Sequence, residues 1–204
     1  PWGWPAAKNS WTWPEAIQGW PAPGAGEDVQ IDVYSACDEV ELQINGRSIG
    51  RNTTSKASRY LATWIVAYEP GTLEAIGYRD GKQVAKQVLK TADAPAKIKL
   101  TPDRQAIKAD GYDLSYITVE LSDKKGVFHP NADNEIKFSI SGPGEILAVG
   151  NGDPASVEPF QTKQRSVYNG RCLVVVKSNE KKGKITLTAK SKGLAAAKAV
   201  ITAR

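Results

Sequence analysis

From Val29 onward the chain alternates apolar and polar positions. Val40, Leu42 and Ile44 interleave with Glu41, Gln43 and Asn45, a pattern that buries one face of a strand and leaves the other wet. Asn45-Gly46 follows at once, and Ile49 resumes the apolar series. Asn-Gly supplies the two positive-φ residues of a type I′ turn, so this spacing predicts a hairpin. Residues 60–66, Tyr-Leu-Ala-Thr-Trp-Ile-Val, read as a more fully buried strand. Leu73 to Tyr78, then Asp80-Gly81, then Val84 to Leu89 predict a second hairpin. Strands this short, with turns this closely spaced, predict a β-sandwich whose sheets bury their alternating faces against each other.

The period breaks at Thr91-Ala92-Asp93-Ala94-Pro95, a stretch of small residues and a proline that reads as a linker. Beyond it the alternation restarts. Ile98/Leu100, Ile117/Val119/Leu121, Ile136/Phe138/Ile140, Ile146 to Val149, Cys172/Val174/Val176, Ile185/Leu187 and Val200 mark the further strands. No run carries a 3.6-residue period bounded by caps. Ala195 to Ala199 has helix-forming composition but is too short for a stable helix, and a closing strand suits it better. The expectation is an all-β chain of two consecutive β-sandwich domains. Residues 1–92 form the first, with a Trp/Pro-rich N-terminal segment, and residues 93–204 the second.

Composition changes this picture by exclusion. At 204 residues and 41% hydrophobic, the chain is neither disordered nor collagen-like. No stretch approaches the roughly 20 apolar residues of a membrane span, and no signal peptide opens the sequence. Its start inside a Pro/Trp-rich stretch reads as cut from a longer protein. One His and two isolated Cys exclude a Cys/His zinc site. The net charge of +5 splits unevenly: residues 1–92 hold nine Lys/Arg against ten Asp/Glu (−1), and 93–204 hold eighteen against twelve (+6). The lysines of the basic half, such as Lys97, Lys99, Lys137 and Lys190, are spread over alternating strand positions. Only Lys181-Lys182-Gly183-Lys184 clusters, at a predicted hairpin turn. That is the pattern of a solvated strand face rather than a nucleic-acid surface.

Residues 33–42, Val-Tyr-Ser-Ala-Cys-Asp-Glu-Val-Glu-Leu, run into Asn45-Gly46-Arg47-Ser48-Ile49-Gly50. This stretch resembles the strand pair of the immunoglobulin-like domain that follows the catalytic barrel in many bacterial family 2 glycoside hydrolases. Trp11-Thr12-Trp13-Pro14 resembles the approach to that domain, and Tyr68-Glu69-Pro70-Gly71-Thr72-Leu73 one of its later strands. In the second half, Ala94-Pro95-Ala96-Lys97-Ile98, Asp110-Gly111-Tyr112-Asp113-Leu114, Pro130-Asn131-Ala132-Asp133-Asn134 and Gly150-Asn151-Gly152-Asp153-Pro154 are similar to the invasin-like C-terminal domain of β-galactosidase-like members. Two departures stand out: a long insert over residues 15–26, and Val157 where the similar motif often carries His.

The resemblance implies two consecutive immunoglobulin-like β-sandwich domains that form a C-terminal fragment of a bacterial β-galactosidase-like enzyme, whose partner is the catalytic barrel of the same parent chain. It also implies a periplasmic or secreted location. The family's two catalytic Glu belong to the barrel, and neither motif occurs here. No catalytic residue, cofactor or metal is therefore expected in this stretch. A carbohydrate-binding module and an adhesin-like structural spacer are the alternatives.

Five of the six Trp fall at Trp2, Trp4, Trp11, Trp13 and Trp20. In an extended chain, each of the pairs Trp2/Trp4 and Trp11/Trp13 would place both rings on one side. Such rings could form a platform for an oligosaccharide, or pack at an interdomain contact, where Trp contributes large buried area; packing is the favoured reading. Asp110/Asp113, Asn131/Asp133/Asn134/Glu135 and Asn151/Asp153 could offer oxygen ligands to Ca²⁺, but lack EF-hand spacing and suit turns better. Glu39 and Glu41 lie on the wet face of a strand with no implied pocket. His129 has no nucleophile in a recognisable motif. Cys37 and Cys172 fall in different predicted domains, so free thiols are expected. Asn52-Thr53-Thr54 fits a glycosylation sequon, which matters only in a eukaryotic secreted protein.

Overall fold

Strand alternation fixes which side chains meet, and two separate cores result. The computed structural model describes residues 19–20 and 26–204. The first six strands are β1 (Asp28–Tyr34), β2 (Glu39–Ile44), β3 (Arg47–Thr53), β4 (Leu61–Ala67), β5 (Thr72–Arg79) and β6 (Lys82–Lys90). β1 and β4 pair as a two-stranded antiparallel sheet, and the other four form a sheet in the order β3-β2-β5-β6. Val40, Leu42 and Ile44 of β2 face Ala62 and Trp64 of β4, with Val29, Ile31 and Val33 of β1 packed against them. Asn45 and Gly46 have φ of 51° and 79°, and Asp80 and Gly81 of 50° and 71°. Both predicted hairpins thus turn through paired left-handed residues. The Asn45 amide also accepts from Thr72 N (2.8 Å) and donates to Pro70 O (3.1 Å), tying the turn to the start of β5.

The remaining strands are β7 (Lys97–Pro102), β8 (Ala106–Ile107), β9 (Leu114–Ser122), β10 (Glu135–Ser141), β11 (Gly144–Gly150), β12 (Gln164–Ser166), β13 (Arg171–Ser178), β14 (Gly183–Lys190) and β15 (Ala197–Ala203). They form a four-stranded sheet, β11-β13-β9-β7, and a five-stranded one, β12-β10-β14-β15-β8. Every pairing is antiparallel except β15 with β8. Ile117, Val119 and Leu121 of β9 and Val174 and Val176 of β13 meet Ile136, Ile185, Leu187 and Ile201 across the sandwich. All nine are completely buried. Ala195 to Ala199 leads into β15, as its length required, and the basic cluster has Lys181 and Lys182 in the turn between β13 and β14 and Lys184 in β14.

One strand differs from expectation. Residues 60–66 are not buried on both sides: Ala62 and Trp64 point inward while Ile65 is 71% exposed. The cause is topological, because β4 pairs only with β1 and its outer face has no covering layer. Tyr60 lies before the strand, at φ 59°. The two-residue β8 and three-residue β12 were too short to leave a period in the sequence.

Truncating Leu187 should cost about 2–5 kcal/mol in urea unfolding, the range for emptying a closed core site. Ile65→Thr, on the uncovered face of β4, should stay within about 0.5 kcal/mol.

Candidate functional site

The described end of the Trp-rich segment is fastened to the fold. Trp20 is 3% exposed. Its indole Nε1 donates to Glu69 O at 2.9 Å, and its ring lies 4.9 Å from that of Tyr68, tilted by 45°. Tyr68 in turn shares a hydrogen bond with Thr91 Oγ1 (2.9 Å), which also accepts from Gly71 N (3.0 Å). Gly19 meets the second sandwich: a Cβ there would come within 2.6 Å of Pro130 Cγ. Trp20 therefore acts as a wedge in the first core and offers no open ring face to a sugar. Trp2, Trp4, Trp11 and Trp13 lie outside the described residues.

A second fastening involves Asp123, only 1% exposed. Its Oδ1 accepts from Lys125 N (2.8 Å) and Val127 N (2.9 Å), and its Oδ2 from Asp93 N (3.1 Å). Burial alone would raise its pKa, but the N–H groups of Val127, Asp93, Lys125 and Gly126 outweigh burial and hold it below the usual carboxylate value. Lys125 Nζ adds an ion pair to Asp93 at 2.9 Å. One buried carboxylate thus pins residue 93 of the linker to the turn after β9.

The same pole of the second sandwich carries loop 151–163, organised by Arg165 from β12. Arg165 is 1% exposed. Its Nη2 donates to Val149 O (2.9 Å), Pro159 O (3.0 Å) and Glu158 O (3.1 Å). Its Nη1 reaches Ser156 Oγ (3.2 Å) and the Glu158 carboxylate (3.3 Å), while Nε is buried without a partner. Five bonds from one fork fix both flanks of the loop.

Carboxylates elsewhere are neutralised rather than poised for chemistry. Glu41 receives Tyr78 Oη at 2.8 Å, Gln43 Nε2 at 3.1 Å and Arg51 Nη2 at 3.3 Å. The Arg51 guanidinium stacks 3.9 Å from the Tyr78 ring centroid. Hydrogen bonds from Ser48, Tyr78 and Gln43, with the Arg51 charge, pull the Glu41 pKa down to about 2. A general acid for glycoside cleavage needs the opposite shift. Glu39 pairs with the same Arg51 at 3.6 Å.

Asp110 Oδ1 accepts from Tyr112 N and Asp113 N, and Asn151 Oδ1 from Asp153 N, so these Asx side chains serve their own turns. Among the described residues no group of three or more His, Cys, Asp or Glu converges as a metal site. His129 keeps a buried Nδ1 without a partner. Cys37 and Cys172 are both buried and free. Burial pushes the Cys172 thiol up to about 12. The sequence reading missed Asp123 and Arg165. The first had a signal in the Asp-Lys-Lys-Gly turn it opens, whereas a charged residue inside a three-residue strand leaves none.

Comparison with known proteins agrees with this architecture. Residues 98–200 match the glycoside hydrolase family 2 C-terminal domain 5. Residues 26–85 match a domain of unknown function (DUF4982). The chain belongs to glycoside hydrolase family 2, as a stretch of its C-terminal domains. The β-galactosidase BoGH2A of Bacteroides ovatus is 45% identical over 161 residues, which are 79% of this chain and 19% of that protein. A β-galactosidase of Thermoanaerobacter pseudethanolicus is 30% identical over 177 residues, 78% of this chain and 22% of its own length. A solved family 2 glycosyl hydrolase from Bacteroides cellulosilyticus superposes with a TM-score of 0.88 at 39% identity, covering 95% of this chain and 25% of that one. The chain thus spans about a fifth of the curated relatives it matches, which are larger multidomain proteins.

Two consequences can be measured. The stability that ionised Glu41 contributes should be complete above its unfolded value of 4.5 and disappear as the pH falls to about 2. Glu41→Gln should flatten that segment of the pH–stability curve in thermal melts. Asp123→Asn places an amide where N–H donors converge and should cost about 1–3 kcal/mol. Faster hydrogen exchange at the Asp93 amide should accompany the loss.

Proposed function

We infer that this chain is the non-catalytic C-terminal region of a β-galactosidase-like family 2 glycoside hydrolase, and that it buttresses the catalytic barrel of the same parent polypeptide. The observation that supports this reading most is electrostatic. The two buried carboxylates, Glu41 and Asp123, are surrounded by donors and held ionised, so neither can deliver a proton to a glycosidic oxygen. Hydrolysis with retention requires two carboxyl groups facing a sugar across about 5–5.5 Å, and the Glu39/Glu41 pair is occupied by Arg51. The sandwiches then serve as a rigid support. Family likeness further favours a periplasmic or secreted setting.

The chain alone should leave chromogenic β-galactosides and β-glucuronides uncleaved, while the parent polypeptide turns one of them over. Turnover by the repurified chain that disappears on substituting one of its own carboxylates would overturn this reading. Titration of the chain with galactans and glucans should leave Trp fluorescence unchanged; a saturable shift would favour a carbohydrate-binding module.

A further inference from the structure

Loop 151–163 combines a fixed shape with an apolar outer surface. Val157 is 98% exposed and Phe160 67%. Beneath them Arg165 is withdrawn from water and spends its fork on Val149, Ser156, Glu158 and Pro159. Burying a guanidinium carries a large desolvation cost unless its bonds are well made. The fold bears that cost to hold a loop in which Val157 stands in solvent and the Phe160 ring, its outer side open, lies 5.3 Å from the Arg165 guanidinium. The Phe160 ring lies over Gly150, where an added Cβ would come within 3.4 Å of it. Gly150 faces Leu173 across β11 and β13. Cys172 and Val174 point into the core, so Leu173 points outward, 37% exposed. Phe160 and Leu173 therefore share the outer face at Gly150 and, with Val157 three residues before Phe160 in the braced loop, give this end of the sandwich an apolar rim, the composition expected at the centre of a protein interface.

The position of this rim selects its occupant. Gly19 packs on Pro130 at one pole of the second sandwich. That pole also contains Ala132, whose carbonyl accepts from Gly170 N (2.9 Å), and Asn151, whose side chain donates to Ser166 O (3.0 Å). Gly19, the first described residue, thus lies at the same pole as the rim. The matched profile is that of a C-terminal domain, and this stretch covers only 19% and 25% of two matched relatives. A domain joined through the segment that holds Gly19 would meet this pole first.

We propose that the Val157–Phe160 loop, braced by Arg165, is the surface through which this region docks on the preceding catalytic domain of its parent polypeptide. The proposal rests on the supporting role inferred above and assigns it to one face. Amide hydrogen exchange of the 204-residue chain and of the parent polypeptide tests it. Residues 151–163 should exchange about tenfold more slowly, or slower still, in the parent. Val157→Asp should weaken that protection and lower the melting temperature of the parent, while the 204-residue chain melts unchanged. Val200→Asp, at a 48% exposed apolar position on the opposite sheet, should leave both proteins unaffected.

Three outcomes overturn the proposal. If the loop exchanges equally in both proteins while another face gains protection, the supporting role stands and this assignment fails. If no face gains protection, both readings fail. If Val157→Asp destabilises the 204-residue chain itself, or Val200→Asp weakens the parent equally, the loop is not a dedicated docking surface.

Discussion

A sheet with apolar residues at every second position has one face that water penalises, and the architecture of this chain follows from covering it. In the second sandwich two sheets of comparable width do so, and residues from β9, β13, β10, β14 and β15 are sealed completely. In the first, a two-stranded sheet lies over part of a four-stranded one. Its covering is narrower, and Trp20, from outside the sheets, fills part of the remaining space. The aromatic clamp of Trp20 and Tyr68 is thus part of the core.

Regular strands were legible because their period is long enough to be seen. Val40/Leu42/Ile44 and Ile117/Val119/Leu121 point inward as their alternation required, and Asn45-Gly46 and Asp80-Gly81 turn as their composition required. The reading erred where pairing rather than pattern decides burial. The run Trp64-Ile65-Val66 is continuous in hydrophobicity, yet no layer covers the outside of β4. Local sequence cannot report that a neighbouring layer is missing.

The candidate site was less legible for a related reason. Asp123 and Arg165 gain their roles from backbone groups far along the chain: Asp93 is thirty residues from Asp123, and Val149 sixteen from Arg165. Carbonyls and amides carry no residue-specific mark, so a charged side chain that binds them looks like any surface charge until the fold is known. Family likeness supplied what periodicity could not, by assigning the Gly150-Asn151-Gly152-Asp153-Pro154 stretch to a C-terminal domain before any bond in it was visible.

Both sulfurs of the chain are shut away in the interior, and no covalent cross-link joins any part of the described fold. A thiol held neutral by burial, as Cys172 is, is a poor nucleophile for exchange. Cohesion of the described fold therefore owes nothing to oxidation, and no disulfide-forming catalyst is needed to finish it.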